Sequence, residues 1–245
     1  MLKQNDGREN FPNSMSAPSN SKGPAGPAAT SAIEQDIGSR FAVAFGTPIL
    51  AYPWPDSDAL NVELRRVILA KEAADSGVTR SNIGGWHSND DFFLWDNDAV
   101  RTLRRRVEQQ LFVLLRQTIA GAATRSFNYR IDGWANVNRH QGYNKVHNHP
   151  NYLWSGTYYV APGEPEPGRP YNGKLELLDP RAGVNMIEIE GNLFARGYLV
   201  DPLPGLMIMF PSWLKHIVHP FFGTGERISI AFNILIQDAT ARTTA

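Results

Sequence analysis

Residues 206–236, LMIMFPSWLKHIVHPFFGTGERISIAFNILI, decide the class of fold. Two runs rich in apolar and β-branched residues, 206–210 and 227–236, predict strands. The segment between them contains Pro220, Gly223 and Gly225, which are typical of turns. Similar strands are predicted upstream at Tyr129–Val137, Leu153–Val160, Lys174–Leu178 and Met186–Ile189. Short strands at this spacing, separated by turn residues, predict a closed or sandwiched β architecture such as a barrel or jelly roll.

Two helices are predicted before these strands. Asp56 or Ser57 can cap the first helix, and its apolar residues recur at helical spacing: Leu60, Leu64, Val67 and Ile68. Asn97 or Asp98 begins the second helix, and Gly121 is expected to end it. Its apolar stripe consists of Val100, Leu103, Val107, Leu111 and Leu114. The predicted fold class is therefore α+β, mainly β, with helices that cover one sheet.

The first 40 residues have a different composition from the rest. More than half of them are Gly, Pro, Ser, Ala or Asn, and large apolar side chains are rare. Such a segment cannot bury enough surface to offset the entropy lost on ordering. We predict a disordered tail over residues 1–40, in which Ser31–Ile37 can form a short helix, and one domain over residues 41–245.

Charge and cysteine content exclude several classes of protein. The 24 Lys and Arg residues balance the 24 Asp and Glu residues, so the chain lacks the excess of positive charge typical of nucleic-acid-binding proteins. Cysteine is absent, which excludes disulfides, thiolate nucleophiles and cysteine-ligated metals. The N-terminal residues lack the apolar core of a signal peptide, and no run has the ~20 apolar residues of a membrane span. We expect a cytoplasmic protein without nucleic-acid or membrane partners.

Four of the six histidines form two close pairs in the β-rich half. His147 and His149 are two residues apart, and side chains at that spacing in an extended chain point to the same side. Two imidazoles on one side of a strand can bind a metal, although such a pair can also be ordinary polar residues at a strand end. His216 follows the predicted strand 206–210 and is the candidate third ligand.

Arg227 lies 11 residues after His216. If the intervening residues form a hairpin centred near Phe221–Phe222, His216 and Arg227 lie opposite each other on neighbouring strands. A metal ligand beside an arginine can bind a chelating dicarboxylate, because the guanidinium takes the far carboxylate bidentately. Ser229 lies on the same side of the strand as Arg227 and can donate a further hydrogen bond.

Several stretches together resemble a known family: His147–Pro150, Ser155–Val160, Asp179–Arg181, Phe210–His216 and Glu226–Asn233, with Gly84–Ser88 and Trp134–Asn136 upstream. This order of motifs is similar to that of the 2-oxoglutarate/iron(II) oxygenases of bacteria and phages, which are relatives of the prolyl hydroxylase-like enzymes. The resemblance covers roughly residues 41–236. It implies a double-stranded β-helix (jelly-roll) core with supporting helices. It also implies Fe(II), with 2-oxoglutarate and O2 as cosubstrates.

The resemblance also assigns roles to single residues. His147 and His216 match the first and last iron ligands, Arg227 and Ser229 match the residues that bind the far carboxylate of 2-oxoglutarate, and Tyr159 resembles a tyrosine that contacts this cosubstrate. His149 stands where the wider superfamily has a carboxylate. Three arrangements follow: His149 is the third ligand, which we favour; iron is held by two histidines and water; or Glu176 or Asp179 completes the set.

The implied activity is hydroxylation of an unactivated C–H bond in a small molecule such as an amino acid. Residues near the motifs that can contact such a substrate are Trp134, Asn136, Asn138 and Arg181. One alternative is a cupin-type metal dioxygenase that does not use 2-oxoglutarate. A second is a non-catalytic jelly-roll module that binds a metal or a sugar.

Overall fold

The computed structural model describes residues 45–186 and 197–238. The predicted tail at residues 1–40, its helix at 31–37 and the predicted first ordered residues at 41–44 lie outside this part. So do residues 187–189 of the strand predicted at Met186–Ile189, and Met186 itself ends a short 3-10 turn.

The described residues form two helices and nine strands, in the order β1 Leu50–Pro53, α1 Asp58–Ala74, β2 Asn82–His87, α2 Asp98–Thr118, β3 Phe127–His147, β4 Trp154–Pro165, β5 Leu175–Leu178, β6 Gly197–Val200, β7 Leu206–Pro211, β8 His216–Val218 and β9 Gly223–Asp238. The strands pair in the order β1-β7-β4-β9-β3-β8-β5-β6, and β2 pairs with β3. All of these pairings are antiparallel. The 21-residue β3 pairs with β9 along its first part and with β2 and β8 towards its end, so the sheet curls on itself. The prediction of a mainly β fold with few helices is confirmed.

The longer helix forms as its sequence predicts. Asn97 caps α2, because its side chain accepts hydrogen bonds from the backbone N–H groups of Ala99 at 2.8 Å and Val100 at 3.4 Å. All five residues of the predicted stripe are buried. The helix ends at Thr118, three residues before Gly121, which adopts a left-handed φ of 69°. Among the described residues, no helix is long and apolar enough to cross a membrane.

The first helix begins where predicted, but its cap differs. Ser57 is the residue before α1, yet its hydroxyl donates to the carbonyl of Trp54 at 2.8 Å and does not cap the helix. Leu64 and Ile68 are fully buried, whereas Leu60 and Val67 are only partly buried. The buried apolar stripe of α1 is therefore narrower than the sequence pattern indicates.

Residues of the central strands alternate between two apolar clusters. Tyr158 of β4 and Met207 of β7 pack with the helices, whereas their neighbours Tyr159 and Ile208 belong to a second cluster with Leu175 and other residues. This alternation follows from the two-residue period of a strand. The helices cover one face of the sheet, and the opposite face remains for a pocket.

The predicted hairpin between His216 and Arg227 is wrong. His216 pairs with His147 of β3, and Arg227 pairs with Asn138 of the same strand, so β3 separates β8 from β9. Phe221, in the connecting segment, is buried, and its backbone exchanges hydrogen bonds with residues 141 and 142 of β3. The buried ring and these backbone hydrogen bonds hold the connecting segment where it crosses β3.

The close packing of β3 against the 3-10 turn at Phe92–Leu94 provides a test of stability. A Cβ atom on Gly133 would lie 2.4 Å from Cε2 of the buried Phe93, so we expect Gly133→Ala to lower the free energy of unfolding by ~1–3 kcal/mol. Urea denaturation measures the change. Gly46→Ala is the control, because a Cβ there would meet no atom of the described residues within 4 Å. Equal stability of the two variants would contradict the prediction.

Candidate metal centre

Three histidines meet at the end of β3. His147 is the last residue of β3, His149 follows two residues later, and His216 begins β8 opposite His147. One ring nitrogen from each lies within 4.8 Å of the others, and among the described residues this is the group of His, Asp or Glu side chains that can hold a metal. The antiparallel pairing of β3 with β8 supplies one cross-strand pair, and the His-x-His spacing adds the third ring.

Hydrogen bonds orient two of the three rings. The Nδ1–H of His147 donates to the carbonyl of Lys145 at 2.6 Å, and the Nδ1–H of His216 donates to the carbonyl of Leu214 at 2.9 Å. A carbonyl can only accept, so each neutral ring keeps its lone pair on Nε2, the arrangement that metal-binding histidines use. His149 makes no such bond to the described residues.

Burial keeps these rings neutral. Burial, with a smaller contribution from charge on His147, lowers the pKa of His216 to about 3 and that of His149 to about 4. The pKa of His147 is also lowered by burial. A histidine must be neutral to bind a metal, so the site is ready for one at physiological pH.

The lowered pKa of His216 predicts how the stability of the metal-free protein depends on pH. As the pH falls below ~6.5, the unfolded chain protonates His216, whereas the folded protein does so only near pH 3. Stability is therefore lost on acidification, and this residue accounts for about 2 kcal/mol between pH 6.5 and pH 5. Urea unfolding of chelator-treated protein at both pH values should show a smaller loss for His216→Gln. The same loss in both proteins would contradict the assignment.

A buried cation lies in the same pocket as the histidines. Arg227 is 1% exposed, and within the described part of the chain no carboxylate forms an ion pair with it. Its Nε–H donates to the carbonyl of Gly173 at 2.7 Å, and its Nη1 lies 3.5 Å from the hydroxyl of Ser229. Burying a charge without an opposite charge is costly, so this guanidinium is suited to an anionic ligand.

Tyr159 adds a second unsatisfied polar group. Its ring lies 5.5 Å from the guanidinium of Arg227, and its buried hydroxyl has no hydrogen-bond partner in the described structure. Burial raises its pKa to about 12, so the phenol stays protonated and can donate. Together, the histidine lone pairs, the guanidinium without an ion pair and the phenol without a hydrogen-bond partner among the described residues would suit a metal and a dicarboxylate.

Two of the four predicted substrate residues line this pocket. Trp134 and Asn136 lie on its wall, and Oδ1 of Asn136 is buried without a partner. Asn138 is buried outside the lining residues, with its side chain against the backbone of Gly85. Arg181 is exposed and forms an ion pair with Asp179.

The two alternative carboxylate ligands are engaged elsewhere. Glu176 accepts a hydrogen bond at 2.7 Å from Nε2 of His219. Asp179 binds Arg181, and this pairing lowers the pKa of its carboxyl group. Neither carboxylate belongs to the group of metal-binding side chains in the described part of the structure.

Three residues near the metal centre were not predicted from the sequence, namely Ser81, His87 and Asn144. Ser81 precedes β2, and its hydroxyl lies 3.4 Å from Nε2 of His147 and accepts a hydrogen bond from Asn144 at 3.2 Å. His87, at the end of β2, stacks on Trp134 at 5.4 Å, and Trp134 in turn contacts His149. The strand β2 was not predicted, because its Gly84-Gly85 pair obscures the alternation of apolar and polar residues typical of a strand. The resemblance of Gly84–Ser88 to a block of the family was the feature of the sequence that pointed to this region.

Residues 132–233 match the family model described as "Putative 2OG-Fe(II) oxygenase", and the matched range contains all three histidines, Tyr159, Arg227 and Ser229. Over this range, which is less than half of the chain, the sequence is similar to the 2OG-Fe(II) oxygenase family. Enzymes of this family are dioxygenases that use Fe(II), 2-oxoglutarate and O2, so the groups that the pocket fits are those that the family employs. No curated protein sequence is similar enough to count as a relative.

Solved structures share the fold of this oxygenase. A prolyl-4-hydroxylase from Pseudomonas putida is 16% identical over 78% of this chain and 93% of its own, with a TM-score of 0.55. HygX from Streptomyces hygroscopicus, with nickel and 2-oxoglutarate bound, is 11% identical over 80% of this chain and 85% of its own, with a TM-score of 0.51. SnoN, an α-ketoglutarate-dependent epimerase from nogalamycin biosynthesis, is 11% identical over 78% of each chain, with a TM-score of 0.52.

Proposed function

We propose that this oxygenase hydroxylates an unactivated C–H bond of a small molecule such as an amino acid, within a double-stranded β-helix formed by the curled sheet. The observation that carries the proposal is one pocket with two complementary halves. Three neutral ring nitrogens converge at one side, and a buried guanidinium without a carboxylate partner among the described residues lies at the other. A metal alone would not require the arginine.

His147, His149 and His216 are the proposed metal ligands. The backbone carbonyls that bind Nδ1 of His147 and His216 hold these rings with the lone pair on Nε2, so only the contact of His147 with Ser81 must change on binding. Bound Fe(II) supplies the oxidation chemistry with O2 and 2-oxoglutarate, which the side chains of the protein cannot perform.

Arg227, Ser229 and Tyr159 are the proposed binding site for the far carboxylate of 2-oxoglutarate. Arg227 has Nη groups available for a bidentate pair, and the Nε bond to Gly173 holds the guanidinium in place. The Ser229 hydroxyl lies 3.5 Å from Nη1, and the Tyr159 hydroxyl lacks a partner, so both can donate to the same carboxylate.

Apolar side chains form part of the wall of the site. Phe210 packs against the ring of His216 at 4.9 Å between centroids, and Leu175 lines the same wall. Removing water strengthens the charge-assisted hydrogen bonds of Arg227, because the local dielectric constant falls.

The substrate is proposed to bind beside Trp134 and Asn136. The unpaired Oδ1 of Asn136 can accept a hydrogen bond from an ammonium or hydroxyl group, which suits an amino acid. The indole of Trp134 lies between His87 and His149 and is held as a flat wall near the proposed metal.

Release of succinate tests this function against its alternatives. The full chain with Fe(II) and 2-oxoglutarate in air should form succinate, and the amount should rise when a pool of amino acids contains the substrate. His147→Ala, which lacks one proposed ligand, is the matched control. A cupin-type dioxygenase would oxidise its substrate without 2-oxoglutarate, and a binding module would release no succinate; either result would contradict the proposal.

A further inference from the structure

The wall of the candidate site has an unusual balance of charge. Among the described residues, its lining contains Arg227 and three histidines but no Asp or Glu. In a face of two histidines and one carboxylate, the ligands contribute one negative charge. Here that charge is missing, because His149 occupies the position.

The missing negative charge matters once a divalent metal and 2-oxoglutarate occupy the site as proposed. A divalent metal and Arg227 together carry three positive charges, and 2-oxoglutarate cancels two of them. One positive charge then remains in a partly buried pocket, where an uncompensated charge is costly. A neutral substrate would leave this charge in place, whereas a monoanion would cancel it.

Hydrogen-bond donors already lie beside the proposed metal ligand His147. Asn144 is 7% exposed and donates to Oγ of Ser81 at 3.2 Å, and the Ser81 hydroxyl donates towards Nε2 of His147 at 3.4 Å. Because Nδ1 of His147 carries the ring proton, Nε2 is the acceptor in this contact. A metal bound at Nε2 would take that lone pair, and the Ser81 hydroxyl would then need another acceptor next to the metal.

We propose that the loaded site takes one anion beside the metal, held by the hydroxyl of Ser81, and that the substrate supplies this anion as a carboxylate. The inference rests on the proposed function and narrows its substrate class. A carboxylate fits better than a phosphate dianion, because only one charge is uncompensated and Arg227 is the single cation among the described lining residues.

Azide binding to the full chain loaded with Co(II) and 2-oxoglutarate provides the test, with the visible spectrum of cobalt as the readout. His149→Asp restores the negative charge, and His149→Asn is its neutral counterpart of nearly the same shape. We expect azide to bind His149→Asp about tenfold or more weakly than His149→Asn, because the added charge repels the anion at short range. Equal affinity of the two variants would overturn the proposal.

Two further measurements use proteins with all three histidines intact, in case a His149 variant fails to fold. Acetate should compete with azide in the wild type, whereas acetamide, which has the same shape without the charge, should not. Ser81→Ala should bind azide about threefold more weakly, the effect of one lost hydrogen bond. Equal competition by acetate and acetamide would overturn the assignment of a carboxylate, and unchanged azide affinity in Ser81→Ala would overturn the role of its hydroxyl.

Retention of labelled 2-oxoglutarate, measured in the same samples, separates this inference from the function on which it rests. If the wild type does not retain 2-oxoglutarate, the proposed function fails. If it retains 2-oxoglutarate but shows no preference for anions, only the inference fails.

Discussion

Replacement of Arg227 by leucine is expected to weaken 2-oxoglutarate binding about ten- to a hundredfold. A charge-assisted hydrogen-bonded pair of this kind contributes roughly 1.5–3 kcal/mol, and leucine can neither donate nor carry charge. The effect should be large because Arg227 is fully buried and no other cation lines the described part of the pocket. Isothermal titration of metal-loaded protein with 2-oxoglutarate measures the loss directly.

The folded state of Arg227→Leu can be checked independently. The substitution removes a buried unpaired charge, which favours the variant, but leaves the carbonyl of Gly173 without its donor, which opposes it. We therefore expect a small change in melting temperature. Arg101→Leu on the exposed face of α2 is the control and should bind 2-oxoglutarate normally. A folded Arg227→Leu protein with wild-type affinity would refute the role of the arginine.

Alanine at each of the three histidines is expected to lower metal affinity by tenfold or more. Even the loss of a residue that only supports a metal ligand costs about ten- to a hundredfold, so the loss of a ligand should cost at least as much. Competition of Fe(II) or Co(II) with a coloured chelator measures the affinity. His219→Ala is the control, because His219 binds Glu176 and lies outside the group of metal-binding side chains.

His149 distinguishes the possible coordination arrangements. If it is the third ligand, His149→Ala should lose affinity as His147→Ala and His216→Ala do. His149→Asp should keep metal binding and some succinate release, because it restores the usual carboxylate at the same position. Wild-type affinity in His149→Ala would show that two histidines and water hold the metal, and would leave the oxygenase assignment intact.

Features that depend on local patterns could be predicted from the sequence. The stripe of α2 follows from helical periodicity, and its cap depends on Asn97 and the two backbone N–H groups that follow. The strands around residues 129–137 and 206–210 were predicted because their composition differs sharply from the flanking turns. The family motifs led to the same oxygenase class as the family match.

Features that depend on distant pairing could not be predicted. Nothing between His216 and Arg227 indicates that the chain crosses β3, and a direct hairpin was the simplest interpretation. For the same reason Ser81 was missed. It reaches His147 because the backbone of Lys145 bonds to its carbonyl, 64 residues away in the sequence.

The sequence by itself determined the mainly β class, the long capped helix, the resemblance to the oxygenase family and the residue types available for the site, because periodicity, turn chemistry and motif order act over short stretches of chain. Only the tertiary structure decided which residues meet. The pairing of β3 with β8 and β9 brings His147 to His216 and places Arg227 in the same pocket, with no carboxylate among the described lining residues. That charge balance arises from side chains far apart in the sequence, so it can be determined only from the tertiary structure.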